Sequence, residues 1–181
     1  MYPHLSPHGL IMKLDAKPMA RIREDVVRKD QECWKRLTAG LVGDVITEKS
    51  TIKETCDFAE KIYLRKDLKE FKRDSGFAKN SEAQKTFSQL RSSIGGIYAW
   101  RAGHSEDADE RERMRKAADI SFRQAFVLCP YSPEAIFRYT QLLVNRSRYD
   151  DAISVVNVAM RLTDDDSQFK DLLRTLREHA R

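Results

Sequence analysis

The sequence predicts an all-α chain: antiparallel helical hairpins stacked as a short right-handed solenoid, preceded by an extended N-terminal arm. Three observations predict it. After residue 20, apolar residues recur at helical spacing, and no strand-like alternation of useful length appears. Glycine and proline are scarce, seven and five in 181 residues, and three of the prolines fall in the first 20. Finally, the chain resembles itself when shifted by 34 residues, a period expected of stacked two-helix units.

Composition sets the outer limits. Apolar residues make up 41% and charged residues 34%, which suits a water-soluble helical protein and excludes a disordered chain. The net charge of +5 comes from 33 basic and 28 acidic residues, interleaved throughout. Even the densest basic stretch, KIYLRKDLKEFKRD (61–74), holds three acids beside its six cations. It reads as a solvated helix face and loop, not as a patch that tracks phosphates. Cys33, Cys56 and Cys129 lie far apart on or beside apolar stripes, so they are expected to be small core residues. MYPHLSPHGLIM (1–12) is too short to span a bilayer and lacks the basic start of a signal peptide. The chain as given is expected to be soluble, and cytoplasmic by default.

The elements follow in order. Residues 1–20 read as an extended arm or linker, with a short strand possible at Leu10–Leu14. Residues 21–80 read as a divergent helical hairpin. Its first helix (20–41) carries Ile22, Val26, Trp34, Leu37 and Leu41 on one stripe, with a break near Asp30 and Gly43 as its C-cap. Its second helix (50–68) opens on a capping box, Thr51 with Glu54. Residues 81–181 hold the repeats. A second box, Ser81 with Gln84, opens a long amphipathic helix whose apolar positions 83, 87, 90, 94 and 97 step by four and three. HSEDADERER (104–113) interrupts it. A helix ending at Cys129, helices at Pro133–Asn145 and Tyr149–Leu162, and a capping helix at Ser167–Ala180 complete the chain.

The 34-residue shift places Ala118 on Ala152, Phe122 on Val156, Ala125 on Ala159 and Leu128 on Leu162. Pro130 then closes one unit and Pro133 opens the next, at the first helical turn, where a missing N–H has no consequence. The unit PEAIFRYTQLLVNRSRYDDAISVVNVAMRLTDDD (133–166) resembles the tetratricopeptide repeat (TPR) family. Ile136, Tyr139 and Leu143 match its large apolar positions, Tyr149 its turn tyrosine, and Ala152 and Ala159 its small positions. Thr140 and Asp164 depart from the family's small residue and closing proline. The preceding unit aligns with a shift of 45, which implies an insert at 102–112 and puts Gly95 on the family's small position. A Gly95-Gly96 pair inside a helix costs about 2 kcal/mol relative to alanines, so close approach of a neighbouring helix is expected there. More broadly, SPHGLIMKL, SSIGGIYAWR and the run from Phe122 to Ile153 resemble the soluble C-terminal region of bacterial polytopic membrane proteins. Those proteins are similar to glycosyltransferases of the protein O-mannosyltransferase type. That likeness implies an accessory domain, extracytoplasmic and membrane-tethered, whose catalytic part lies elsewhere.

No catalytic or cofactor machinery is legible. His4 and His8 are separated by Pro7 and lack a neighbouring glutamate, so they do not form a helical zinc pair, and no cysteine or histidine cluster fits a metal. Ser6, Ser92 and Ser93 lack a nucleophile elbow, and the acidic runs at 105–112 and 164–166 lack the glycine and spacing of a calcium loop. Trp34 and Trp100 read as core or groove aromatics, since no nucleic-acid module surrounds them; nucleic acid is the disfavoured partner. The expected function is non-catalytic binding or scaffolding of a protein or peptide. The TPR resemblance implies that first helices line a concave groove, here with Glu134, Phe137, Arg138, Gln141 and Asn145, joined by Ser92, Ser93 and Trp100. The family's lysine and asparagine clamp for a terminal carboxylate is not reproduced.

Overall fold

A computed structural model describes residues 1–47, 49–69, 71, 73–163 and 166–180. It is mostly helical, with eight α-helices and one two-stranded sheet among the described residues. The helices are α1 (Glu24–Leu41), α2 (Ile52–Ala59), α3 (Ser75–Lys79), α4 (Ser81–His104), α5 (Ala108–Leu128), α6 (Pro133–Val144), α7 (Tyr149–Leu162) and α8 (Ser167–His179).

The N-terminal arm differs from the extended lead-in that its prolines predict. It folds back as a hairpin of β1 (Leu5–His8) and β2 (Ile11–Leu14), in the register Leu5↔Leu14 and His8↔Ile11. Gly9, with φ +64, supplies the turn, a conformation in which a side chain would be strained. Pro7 is tolerated because a two-stranded sheet is all edge. The hairpin is tied down at several points. Trp34 Nε1 donates to the Gly9 carbonyl at 3.1 Å, and Arg101 donates to the carbonyls of Pro3, Met19 and Ala20. The Glu110 carboxylate accepts from the Ile22 N–H and the Ser105 hydroxyl.

α4 and α5 form the central antiparallel pair. Ser88 donates to the Ala125 carbonyl, Arg91 to Gln124, and Gly95 abuts Phe122, so residue numbers fall on one helix as they rise on the other. Asp107 caps α5 through the amides of Asp109 and Glu110. α5 ends before Pro130, and α6 starts with Pro133 in its first turn. α6 packs on both α4 and α5, α7 on α6, and α8 on α7. α1 lies against β1 and α5, whereas α2 lies against α5 and α7. These two helices therefore take separate places on the array. The Tyr63 hydroxyl, just past α2, donates to the carbonyls of Val127 and Leu128 and satisfies groups that the end of α5 leaves open.

Several local expectations meet the structure. The Thr51–Glu54 capping box is present, and Gly43 takes φ +97 after α1. The α4 cap sits one residue earlier than predicted: Asn80 Oδ1 accepts from the Ala83 amide, while Gln84 reaches back to the Phe77 carbonyl. α1 runs through Asp30 without a break, because Asp30 is buried and paired with Arg91. Of the acidic run 164–166, Asp164 and Asp165 lie outside the described residues. Cys56 and Cys129 are buried; burial pushes their thiols up to about 12 and about 11 respectively, so both are inert core residues. Cys33 is half-buried.

Ala152 and Ala159 are fully buried, as their small-residue positions require. Ala152→Leu is accordingly expected to overpack α7 and to destabilise by about 1–3 kcal/mol in urea denaturation. An unchanged midpoint would contradict this packing.

Candidate functional site

A groove of about 630 Å³ opens between α4 and α6. α6 buries Ile136, Tyr139 and Leu143 on one stripe, which leaves Phe137, Arg138, Gln141 and Asn145 on the stripe facing outward. All four line the groove. Phe137 is 39% exposed, one of few large apolar side chains so placed on a helix among the described residues, and its ring centre lies 6.0 Å from that of Phe169 in α8. Gln141 Nε2 donates to Asn145 Oδ1 at 2.9 Å. That bond fixes the two amides relative to each other and leaves the Gln141 carbonyl and the Asn145 amide nitrogen for a ligand.

The α4 wall departs from the predicted positions. It is formed by Gly96, Ala99, Ala102 and Gly103, not by Ser92, Ser93 and Trp100. Ser92 lies on the same helical row as Gly96, Ala99 and Gly103, but the Arg138 guanidinium covers it. Arg138 Nη1 donates to the Ser92 carbonyl at 3.4 Å and lies so close to Gly96 that an added Cβ would collide with it. Ser92 is therefore buried and Ser93 half-buried. Trp100 is turned aside, stacked between Tyr2 at 5.6 Å and His104 at 4.3 Å, with the Arg101 guanidinium over its ring. Glu134, one turn before Arg138, pairs with it at 3.0 Å and holds it over α4; Glu134 itself is not in the groove wall.

Three arginines line the groove, Arg115, Arg138 and Arg146, and no carboxylate does. Glu112 lies 3.8 Å from Arg115 and Glu134 pairs with Arg138, while Arg146 has no ion-pair partner among the described residues. Arg115 and Arg146 were missed in the sequence, where they sit among alternating charges; only the packing of α5 beside α6 brings them together. The groove thus offers one arginine without an ion-pair partner among the described residues, Arg146, beside two paired ones, with an aromatic anchor point, two oriented amides and a small-residue wall.

A second cavity of about 700 Å³ has its two phenols engaged within the fold, Tyr131 donating to Gln84 and Tyr63 to the end of α5, while Lys66 and Lys79 also line it. Among the described residues no group of three or more His, Cys, Asp or Glu is placed to hold a metal, and no helix is long and apolar enough to cross a membrane. No family model matches this chain, and no curated protein or solved structure matches it either, so the groove's own chemistry carries the functional reading.

Proposed function

We propose that the chain is a TPR-like helical-repeat module that binds an extended, acidic protein segment in the groove between α4 and α6, without catalysis. The observation that carries this is the exposed Phe137 set beside three lining arginines and no lining carboxylate. Aromatic and arginine side chains carry most of the binding energy at protein interfaces. The free carbonyl of Gln141 and amide of Asn145 match the N–H and C=O that an extended backbone presents. The order of packing also favours the repeat reading: the first helix of the second hairpin, α6, rests on both helices of the hairpin before it, and α8 closes the far end on α7.

The test is selection from a displayed library of random peptides. The recovered sequences are expected to be acidic with one apolar or aromatic anchor. Phe137→Ala and Arg138→Glu, both outside the core, are expected to weaken their binding by about tenfold or more with folding intact. Peptides bound equally well by both variants would place the site elsewhere.

A further inference from the structure

The N-terminal hairpin carries a surface that the groove does not use. Ile11 is 62% exposed and Leu14 67%, with Leu10 and Met12 at 38% and 39%. β1 buries Ser6 and Pro7, whereas all four residues of β2 are exposed, so the apolar strand is the outward one and its far edge is unpaired. Strand alternation puts Ile11 on one face and Met12 and Leu14 on the other, with Leu10 at the turn. The apolar side chains therefore wrap round a convex ridge instead of lining a concave receptor. Beside the ridge runs a groove of about 650 Å³ lined by Lys13, Lys17, Arg21 and Arg23, with Asp15 as its one acidic lining residue. Lys13 pairs with Asp15 and Arg23 with Asp25, while Lys17 has no ion-pair partner among the described residues.

We propose that this face docks on an anionic lipid surface, with the Leu10–Leu14 ridge in the acyl–headgroup boundary and the cations at phosphate level. The charge pattern and the convexity select this occupant. A second copy meeting the same face would bring Lys17 and Arg21 of one copy, without ion-pair partners among the described residues, towards those of the other. An added strand would cover one edge of β2 and leave side chains on both faces in water. A fluid apolar layer beneath a plane of phosphates meets both requirements. A few inserted side chains or a few cations alone hold a protein only weakly, so both are needed together.

The test is co-sedimentation of the whole chain with vesicles of phosphatidylcholine, with and without phosphatidylserine. Binding is expected only with phosphatidylserine and is expected to fall as salt is added. Ile11→Asp with Leu14→Asp, and separately Lys17→Glu with Arg21→Glu, are each expected to lower the partition coefficient by about tenfold or more. These positions are exposed, so circular dichroism is expected to match the parent. Arg174→Glu with Arg177→Glu on α8 is the control and is expected to bind as the parent does. The proposal is overturned if the parent stays in the supernatant, if either hairpin variant sediments like the parent, or if the α8 control loses binding equally. It is also overturned if light scattering shows a dimer that Ile11→Asp with Leu14→Asp dissolves, or if displayed peptides bind through Ile11 and Leu14 while vesicles do not. Those last two outcomes assign the ridge to a protein contact.

Discussion

Asp30→Ala is expected to destabilise the chain by about 3–5 kcal/mol, because it leaves the Arg91 guanidinium charged, buried and short of its counter-ion. Arg91 is fully buried and Asp30 is 2% exposed. Arg91 Nη1 donates to Asp30 Oδ2 at 2.9 Å, Nε to Gln124 at 2.7 Å and Nη2 to Gln31 at 3.1 Å, and the guanidinium lies 5.1 Å from the Trp34 ring centre. Tyr98 donates to the same carboxylate at 2.8 Å. Burial first, and then the Asp30 charge, push the Tyr98 hydroxyl well above the usual phenol range, so it remains a donor wherever the protein is folded. The cluster joins α1, α4 and α5 through groups 61 and 33 residues apart. A double-mutant cycle in urea with Asp30→Leu and Arg91→Met isolates the pair: the double variant is expected to lie closer to the parent than the sum of the singles. A loss below about 1 kcal/mol for Asp30→Ala would mean that water screens the pair as it does at a surface.

Gly95→Leu is expected to cost about 3 kcal/mol or more. An alanine Cβ at this position would already stand 2.8 Å and 2.9 Å from the Phe122 ring and 3.1 Å from Ser121 Cβ, and a leucine adds three further carbons to a fully packed α4–α5 contact. Phe122 is 2% exposed and borders the α4–α6 groove, but swinging into it would uncover apolar ring surface and break its packing beside Tyr139. Gly40, near the end of α1, is the internal control. An added Cβ there meets nothing within 4 Å, so Gly40→Ala is expected to stabilise by up to about 1 kcal/mol through helix propensity alone. Thermal or urea denaturation of the two variants should move in opposite directions. A tolerated Gly95→Leu would contradict the close helix approach that compensates for two adjacent glycines in α4.

Features governed by local rules were legible in the sequence. Pro130 and Pro133 marked the α5–α6 junction, Thr51 and Glu54 marked the start of α2, and Gly95 marked a close helix contact. Features decided by distant partners were not. The stripe read from apolar residues of α4 (83, 87, 90, 94, 97) is only half-buried over its first three positions. The buried row that meets α5 is instead Ser88, Arg91 and Gly95, polar or small, and invisible to a hydrophobic period. Asp30 looked like a helix break for the same reason, since its partner lies 61 residues away. The N-terminal hairpin was half legible: Leu10–Leu14 has strand character, but its partner strand contains Pro7. In the groove, Phe137, Arg138, Gln141 and Asn145 line the wall as expected, whereas Glu134 does not, because it pairs with Arg138. The predicted α4 residues do not line it either, because Arg138 folds over Ser92 and stacking with Tyr2 and His104 turns Trp100 aside.

Binding of a partner on the face between α4 and α6 is tested most directly by amide chemical-shift mapping with a peptide recovered by display. Perturbations concentrated on residues 96–103 of α4 and 137–146 of α6 and the turn after it, lost in Phe137→Ala, are the predicted result. Perturbations confined to α2, α5 and α7, or unchanged in Phe137→Ala, would contradict it.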